Sequence, residues 1–192
     1  EKNEQEIEGL IKLAKDGYVD IAAVGNEVMY RKDLTEEQLL TYIQRVKDAV
    51  PGIPVGYVDA YYEFEDRPAI TEICDVILAN CYPFWEGCAI EYSLLYMKDM
   101  FRRTQKVAAG KKVIITETGW PNQGEIFHGA EPSQENAVRY FLNTQQWGQT
   151  DNIDIFYFSS FDESWKVGAE GDVGAFWGLW DKDEQLKYSV QL

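Results

Sequence analysis

Two glutamates stand where chemistry could be done. Glu27 belongs to the segment VGNEV (24–28), and Glu117 to IITETGWP (114–121). In each, an apolar run stops and a carboxylate follows, with an amide beside one (Asn26) and a tryptophan close to the other (Trp120). A carboxyl group at the end of a buried strand is held rigidly and faces open space, which suits proton transfer or nucleophilic attack. Two such groups divide the work between a proton donor and an ionised partner. A single strand-end Glu is often only an ion-pair partner, so the argument rests on there being two. Imidazole chemistry has little to draw on, because His128 is the only histidine and sits in a polar stretch. The cysteines Cys74, Cys81 and Cys88 lack the accompanying histidines of a metal centre. They read as buried or idle thiols, with a Cys81–Cys88 disulfide as the alternative.

The elements that must position these groups are β/α units. Five apolar runs read as strands buried on both faces: VDIAAV (19–24), IPVGYV (53–58), DVILA (75–79), KVIIT (112–116) and IDIFYF (153–158). None alternates polar with apolar, which favours a parallel sheet covered on both sides. Helical patterns separate them. Ile7, Leu10, Ile11 and Ala14 form one stripe. Thr35 and Gln38 have capping-box spacing ahead of Leu39, Ile43, Val46 and Val50, and Pro51-Gly52 stops that helix. Further helices are expected over 91–109, ending at Gly110, and from Pro132-Ser133 onward; 67–72 leaves room for a short turn of helix. Repeated β/α units suggest a (β/α)8 barrel or a doubly wound sheet, and no glycine-rich phosphate loop follows any strand. Barrel units are therefore preferred, although a closed barrel needs eight strands and about 250 residues.

Other strand exits add to the picture. The second strand runs into Asp59, Tyr61 and Tyr62, the third into Asn80, Tyr82, Phe84 and Trp85, and the last into Asp162, Glu163, Trp165 and Lys166. Carboxylates ringed by aromatics and amides have the composition of a carbohydrate site, because sugar rings present apolar C–H faces together with hydroxyls. Trp85 and Trp120 lie beside polar residues and read as cleft residues, whereas Trp177 and Trp180, in a hydrophobic run, read as core. A net charge of −15 over 192 residues opposes nucleic-acid or anionic-membrane partners and fits a neutral ligand. No apolar run approaches the roughly 18 residues of a membrane span, and the polar N-terminus has no signal-peptide core.

VGNEV and IITETGWP resemble the two signature segments of glycoside hydrolase family 17, the β-1,3-glucanases and glucanosyltransferases. The resemblance implies a (β/α)8 barrel of which these five units are strands 4–8, in a single partial domain over 1–192, with strands 1–3 outside it. The independent strand count agrees, since Glu117 then follows strand 7. The resemblance further implies Glu27 as general acid/base and Glu117 as nucleophile of a retaining mechanism. Asn26 is implied as partner of the sugar 2-hydroxyl, with Tyr57, Asn80, Tyr82, Trp85, Trp120, Glu163 and Lys166 in substrate binding. The family's supporting carboxylate corresponds to Glu170 or Asp172. No cofactor or metal is expected. The expected ligand is a β-glucan oligo- or polysaccharide, and by family resemblance the setting is secreted or in the cell envelope. The alternatives are a β-1,3-glucanosyltransferase with the same pair, or an inactive half-barrel that only binds or associates. A missing N-terminal fragment or a second copy would then complete the barrel.

Overall fold

The computed structural model describes residues 2–166, 168 and 170–188. Its elements follow the expected order: α1 (Lys2–Lys15), β1 (Ala22–Asn26), α2 (Glu36–Ala49), β2 (Val55–Ala60), α3 (Glu63–Asp66), α4 (Pro68–Ile73), β3 (Val76–Asn80), α5 (Ser93–Val107), β4 (Lys112–Thr118), α6 (Gln134–Asp151) and β5 (Ile155–Tyr157). The strands form a sheet in the order β1-β2-β3-β4-β5. Parallel pairing joins β1 to β2, β2 to β3 and β4 to β5. A helix between two parallel strands carries the chain back to the same end of the sheet, so the exits of β1, β2 and β3 share one end, as do those of β4 and β5. Four of the strands end one or two residues later than the apolar runs indicate, and Asn26, Asp59 and Glu117 thereby fall inside or at the very end of their strands.

Local signals explain the helix boundaries. At the start of α2 the Thr35 hydroxyl accepts from the Gln38 amide at 3.2 Å, and the Gln38 side chain accepts from the Thr35 amide at 2.9 Å. Such caps are worth about 1 kcal/mol each. The Ser133 hydroxyl caps α6 by accepting from the Asn136 amide at 3.1 Å, and Asn152 ends the helix in the left-handed conformation. The 67–72 segment supplies one short helix, α4, as expected, and a further short helix, α3, precedes it. Lys111 Nζ donates to the carbonyls of Thr71, Glu72 and Cys74, each at 2.7 Å, and so satisfies the orphan carbonyl end of α4.

The chain divides into two compact units. One comprises Glu1–Asn80 and Met100–Ile114, the other Cys81–Asp99 and Ile115–Leu192. In the first, Leu39, Ile43 and Val46 of α2 are buried, and Val58, Val76, Leu78 and Ile114 form a cluster of aliphatic side chains. Both faces of β2 and β3 are covered, as expected; β1 is not, with Ala23 exposed between buried neighbours. The core of the second unit is aromatic: Phe84, Trp120, Tyr140 and Trp177 pack with Ile90, Ala137 and Val173. Phe156 of β5 is exposed, so that strand also departs from two-sided burial. All three cysteines are free thiols, with Cys74 and Cys81 buried, so no disulfide joins Cys81 to Cys88. Burial pushes the Cys74 thiol up to about 11, which leaves it inert at neutral pH.

Candidate active site

The first unit carries Glu27 on a turn that leaves the end of β1. Gly25 has φ +87, and a Cβ there would lie 2.9 Å from Val28 Cγ2 and 3.3 Å from the Tyr57 ring. Only glycine satisfies both the backbone and the close approach. Glu27 itself has φ 54, and its amide donates to the Val58 carbonyl at 2.8 Å. The chain then turns tightly, with Arg31 N donating to Glu27 O at 2.9 Å and Asp33 N to Val28 O at 2.9 Å. The Glu27 carboxylate accepts from Asn80 Nδ2 at 3.0 Å on one oxygen and lies 3.4 Å from Arg31 Nη1 on the other. Asn80 Nδ2 is also 3.4 Å from Asn26 Oδ1. Arg31 is held in turn by Asp33 at 3.0 Å and by the Asn26 carbonyl. Asn26 is exposed, Glu27 half-buried and Asn80 buried. These three expected site residues, from the ends of β1 and β3, therefore meet.

Glu117 needs no special turn, because it lies within β4. Its carboxylate accepts from Tyr82 Oη at 2.9 Å, and its carbonyl accepts from Cys81 N at 2.9 Å. Tyr82 is wedged edge-on between Trp177 and Phe158, with centroids 5.5 and 6.4 Å away. The glycine of the TETGW segment is there for space: a Cβ on Gly119 would meet the Phe158 carbonyl oxygen at 2.0 Å. Lys166 Nζ lies 4.5 Å from the Phe158 ring centroid and pairs with Glu163 at 2.9 Å and Glu170 at 3.8 Å. Of the two candidates for a supporting carboxylate, Glu170 thus joins this charged group. Asp172 instead accepts from the Glu125 amide at 3.0 Å.

Two expectations need correction. Tyr57 is fully buried, its hydroxyl engaged with Asp59 and with the Met29 amide at 2.8 Å, so it cannot reach a sugar. Trp120 is 1 % exposed, its indole N–H donating to the Glu131 carbonyl at 2.9 Å and its ring packed on Phe84 and Tyr140. It supports the site from the core instead of stacking on a ligand. Trp85 remains half-buried against Phe84, Phe127 and Trp177. Trp177 is core, as expected, while Trp180 is half-buried beside Phe161. Arg31 and Asp59 contribute to the Glu27 region without having been singled out for it. The charge of Arg31, one helical turn past Glu27, was the available signal. The next strand's exit carried that for Asp59.

Strand-end carboxylates on parallel β/α units, with amide, guanidinium and hydroxyl partners, are the groups that glycoside hydrolysis calls for. The BtgE/BtgC glycoside hydrolase domain matches residues 1–178, and the chain belongs to that family. A crystal structure of a glycoside hydrolase family 17 β-1,3-glucanosyltransferase from Rhizomucor miehei superposes with a TM-score of 0.87 at 32% identity, covering 96% of this chain and 69% of that one. An active-site mutant of the Rhizomucor enzyme has been solved in complex with laminaritriose, with the same match to this chain. Glucan 1,3-beta-glucosidase BGL2 of Candida albicans is 33% identical over 90% of this chain. The chain spans about 63% of the length of that relative. The resemblance to family 17 is borne out.

Proposed function

We propose that the chain carries the catalytic pair of a retaining glycosidase acting on β-1,3-glucan, with Glu27 as general acid/base and Glu117 as nucleophile. The observation that carries this reading is that each glutamate sits at a parallel strand's C-terminal end with a directed donor on its carboxylate, Asn80 for Glu27 and Tyr82 for Glu117. In the first step Glu27 gives its proton to the glycosidic oxygen as Glu117 attacks the anomeric carbon. The leaving sugar departs as an alcohol and a covalent glycosyl-enzyme remains. In the second step Glu27, now a carboxylate, takes a proton from water, whose oxygen displaces Glu117 with net retention. The reading requires the two carboxyl groups to lie about 5–5.5 Å apart across the bond that is cleaved.

The other proposed ligand contacts are Asn26 at the 2-hydroxyl, Trp85 as a stacking face, and Glu163 and Lys166 as hydrogen-bonding groups. The same cycle with a sugar hydroxyl in place of water is a glucanosyltransferase. Similarity to the Rhizomucor miehei enzyme favours keeping that reading. β1 is the first strand of the sheet order, and a groove of about 710 Å³ is lined by Ile7 and Leu10 of α1, Val24 of β1 and Leu39 and Val46 of α2. We propose that preceding β/α units of the same polypeptide, those of strands 1–3 of the family's barrel, cover this edge. A substrate of this kind belongs with a secreted or cell-envelope protein. Reducing-sugar release from laminarin, with the product anomer followed by NMR, tests the function. Release of the inverted anomer overturns the double displacement.

A further inference from the structure

The turn that carries Glu27 has amides that need partners, and they find them on a residue of the next strand. Met29 N donates to Asp59 Oδ2 at 3.1 Å and Tyr30 N to the same oxygen at 3.3 Å. The Tyr57 hydroxyl donates to that oxygen too, while accepting from Met29 N at 2.8 Å. On the other side Ala60 N donates to Asp59 Oδ1 at 2.7 Å. Asp59, Tyr57 and Met29 are all buried, with Asp59 and Tyr57 showing no exposed surface. β2 is itself locked in unbroken register against β3 over Gly56–Ala60.

We propose that Asp59, with Tyr57, is a positioning residue for the acid/base: a buried carboxylate that holds the Glu27 turn without touching substrate. The inference rests on the assignment of Glu27 made above. Three lines carry it. The clamp grips backbone amides two and three residues past Glu27, so its loss frees the turn and not the strand. Glu27 stands in the left-handed region, which a non-glycine residue keeps only when its surroundings over-determine it. A carboxylate with no exposed surface is costly unless its lone pairs are filled, and here every donor but Ala60 N and Tyr57 Oη comes from the turn. Burial raises the Asp59 carboxyl above its usual range, while the bonds from Tyr57, Ala60, Tyr30 and Met29 oppose that rise.

A residue that merely stabilises the fold would affect all substrates alike. One that aims the proton donor matters only where the leaving group needs a proton. The experiment therefore compares kcat/KM on a laminari-oligosaccharide, whose leaving group is an alcohol, with that on 2,4-dinitrophenyl β-laminaribioside, whose phenolate leaves unassisted. It uses the protein encoded by the complete reading frame. Glu27→Gln, the control, should lose activity on the oligosaccharide far more than on the aryl glycoside. Asp59→Asn should show the same split, losing about 100-fold on the oligosaccharide and less than about 10-fold on the aryl glycoside. Tyr57→Phe removes one hydroxyl, and should reproduce the split at smaller amplitude even where Asp59→Asn folds poorly. Equal losses on both substrates in Asp59→Asn and Tyr57→Phe, or no loss in either, overturn the positioning role while leaving Glu27 as acid. A split missing from Glu27→Gln overturns the assignment of Glu27, and the inference with it.

Discussion

The surroundings of Glu27 and Glu117 are built by different means. Glu27 stands on a turn beyond its strand, held by charge and polar contacts: Asn80, Arg31 and, beneath the turn, Asp59. Glu117 stands inside β4, held by the ladder itself, with Tyr82 braced by Trp177 and Phe158. In the proposed cycle the group that exchanges protons sits beside an amide donor, Asn80, and a fixed cation, Arg31. The group that must form a bond to carbon sits within the sheet, although the pairing of β4 with β5 shifts register between Ile115 and Thr118. A nucleophile displaced by about 1 Å loses rate steeply, which favours a backbone held in a strand.

The sharpest way to break this comparison is to remove each carboxylate's charge. Glu117→Gln should lower laminarin hydrolysis by about 10⁴-fold or more, and the aryl glycoside should not escape, since attack on carbon is needed with any leaving group. Turnover of either substrate within tenfold of the parent would remove Glu117 from the nucleophile's role. Gly119→Ala comes next in size. Its Cβ would fall 2.0 Å from a backbone oxygen, and urea unfolding should register a loss of about 3 kcal/mol. A midpoint unchanged from the parent would mean that β4 and the Phe158 segment are not held as tightly as their geometry implies.

Gly25→Ala tests the other region. The left-handed backbone and the contact with Val28 predict a cost of about 1–2 kcal/mol, with kcat falling more than stability alone explains. The smallest effect concerns a partly exposed ion pair. Arg103 holds Glu65 in an ion pair, which keeps that carboxyl below the usual glutamate range, with burial acting against it. A depressed folded value stabilises above the unfolded value of about 4.3 and is lost as pH falls through the folded one. Glu65→Gln should therefore lower the unfolding free energy slightly at pH 7, by under about 1 kcal/mol, and the gap should close in acid below about pH 4. A gap that widens in acid would reverse the sign of the argument.

Much of this molecule could be read before any coordinates. All five strands, the capping box at Thr35 and the serine cap of α6 lie where local pattern puts them, because caps and apolar runs act over a few residues. The meeting of Asn26, Glu27 and Asn80 was legible too, since the exits of β1 and β3 lie on either side of β2 in one parallel run of strands. Trp120 and Tyr57 were misjudged for a shared reason. Both stand within a few residues of a strand exit, yet which way a ring turns depends on neighbours from other elements, Tyr140 and Glu131 for one, Phe64 and Asp59 for the other. The short helix α3 ahead of Arg67 was likewise beyond pattern reading, since four residues carry no periodicity.

By itself, then, the sequence determined the β/α repeat and the family. It also determined that two glutamates follow parallel strands, because apolar runs, caps and strand-end motifs are local properties. Only the tertiary structure decided which neighbours serve those glutamates: that Asp59 grips the Glu27 turn, that Tyr82 bonds Glu117, and that Trp120 is core. Those contacts join residues from different strands and loops, and their partners are chosen by packing in three dimensions, which no spacing along the chain encodes.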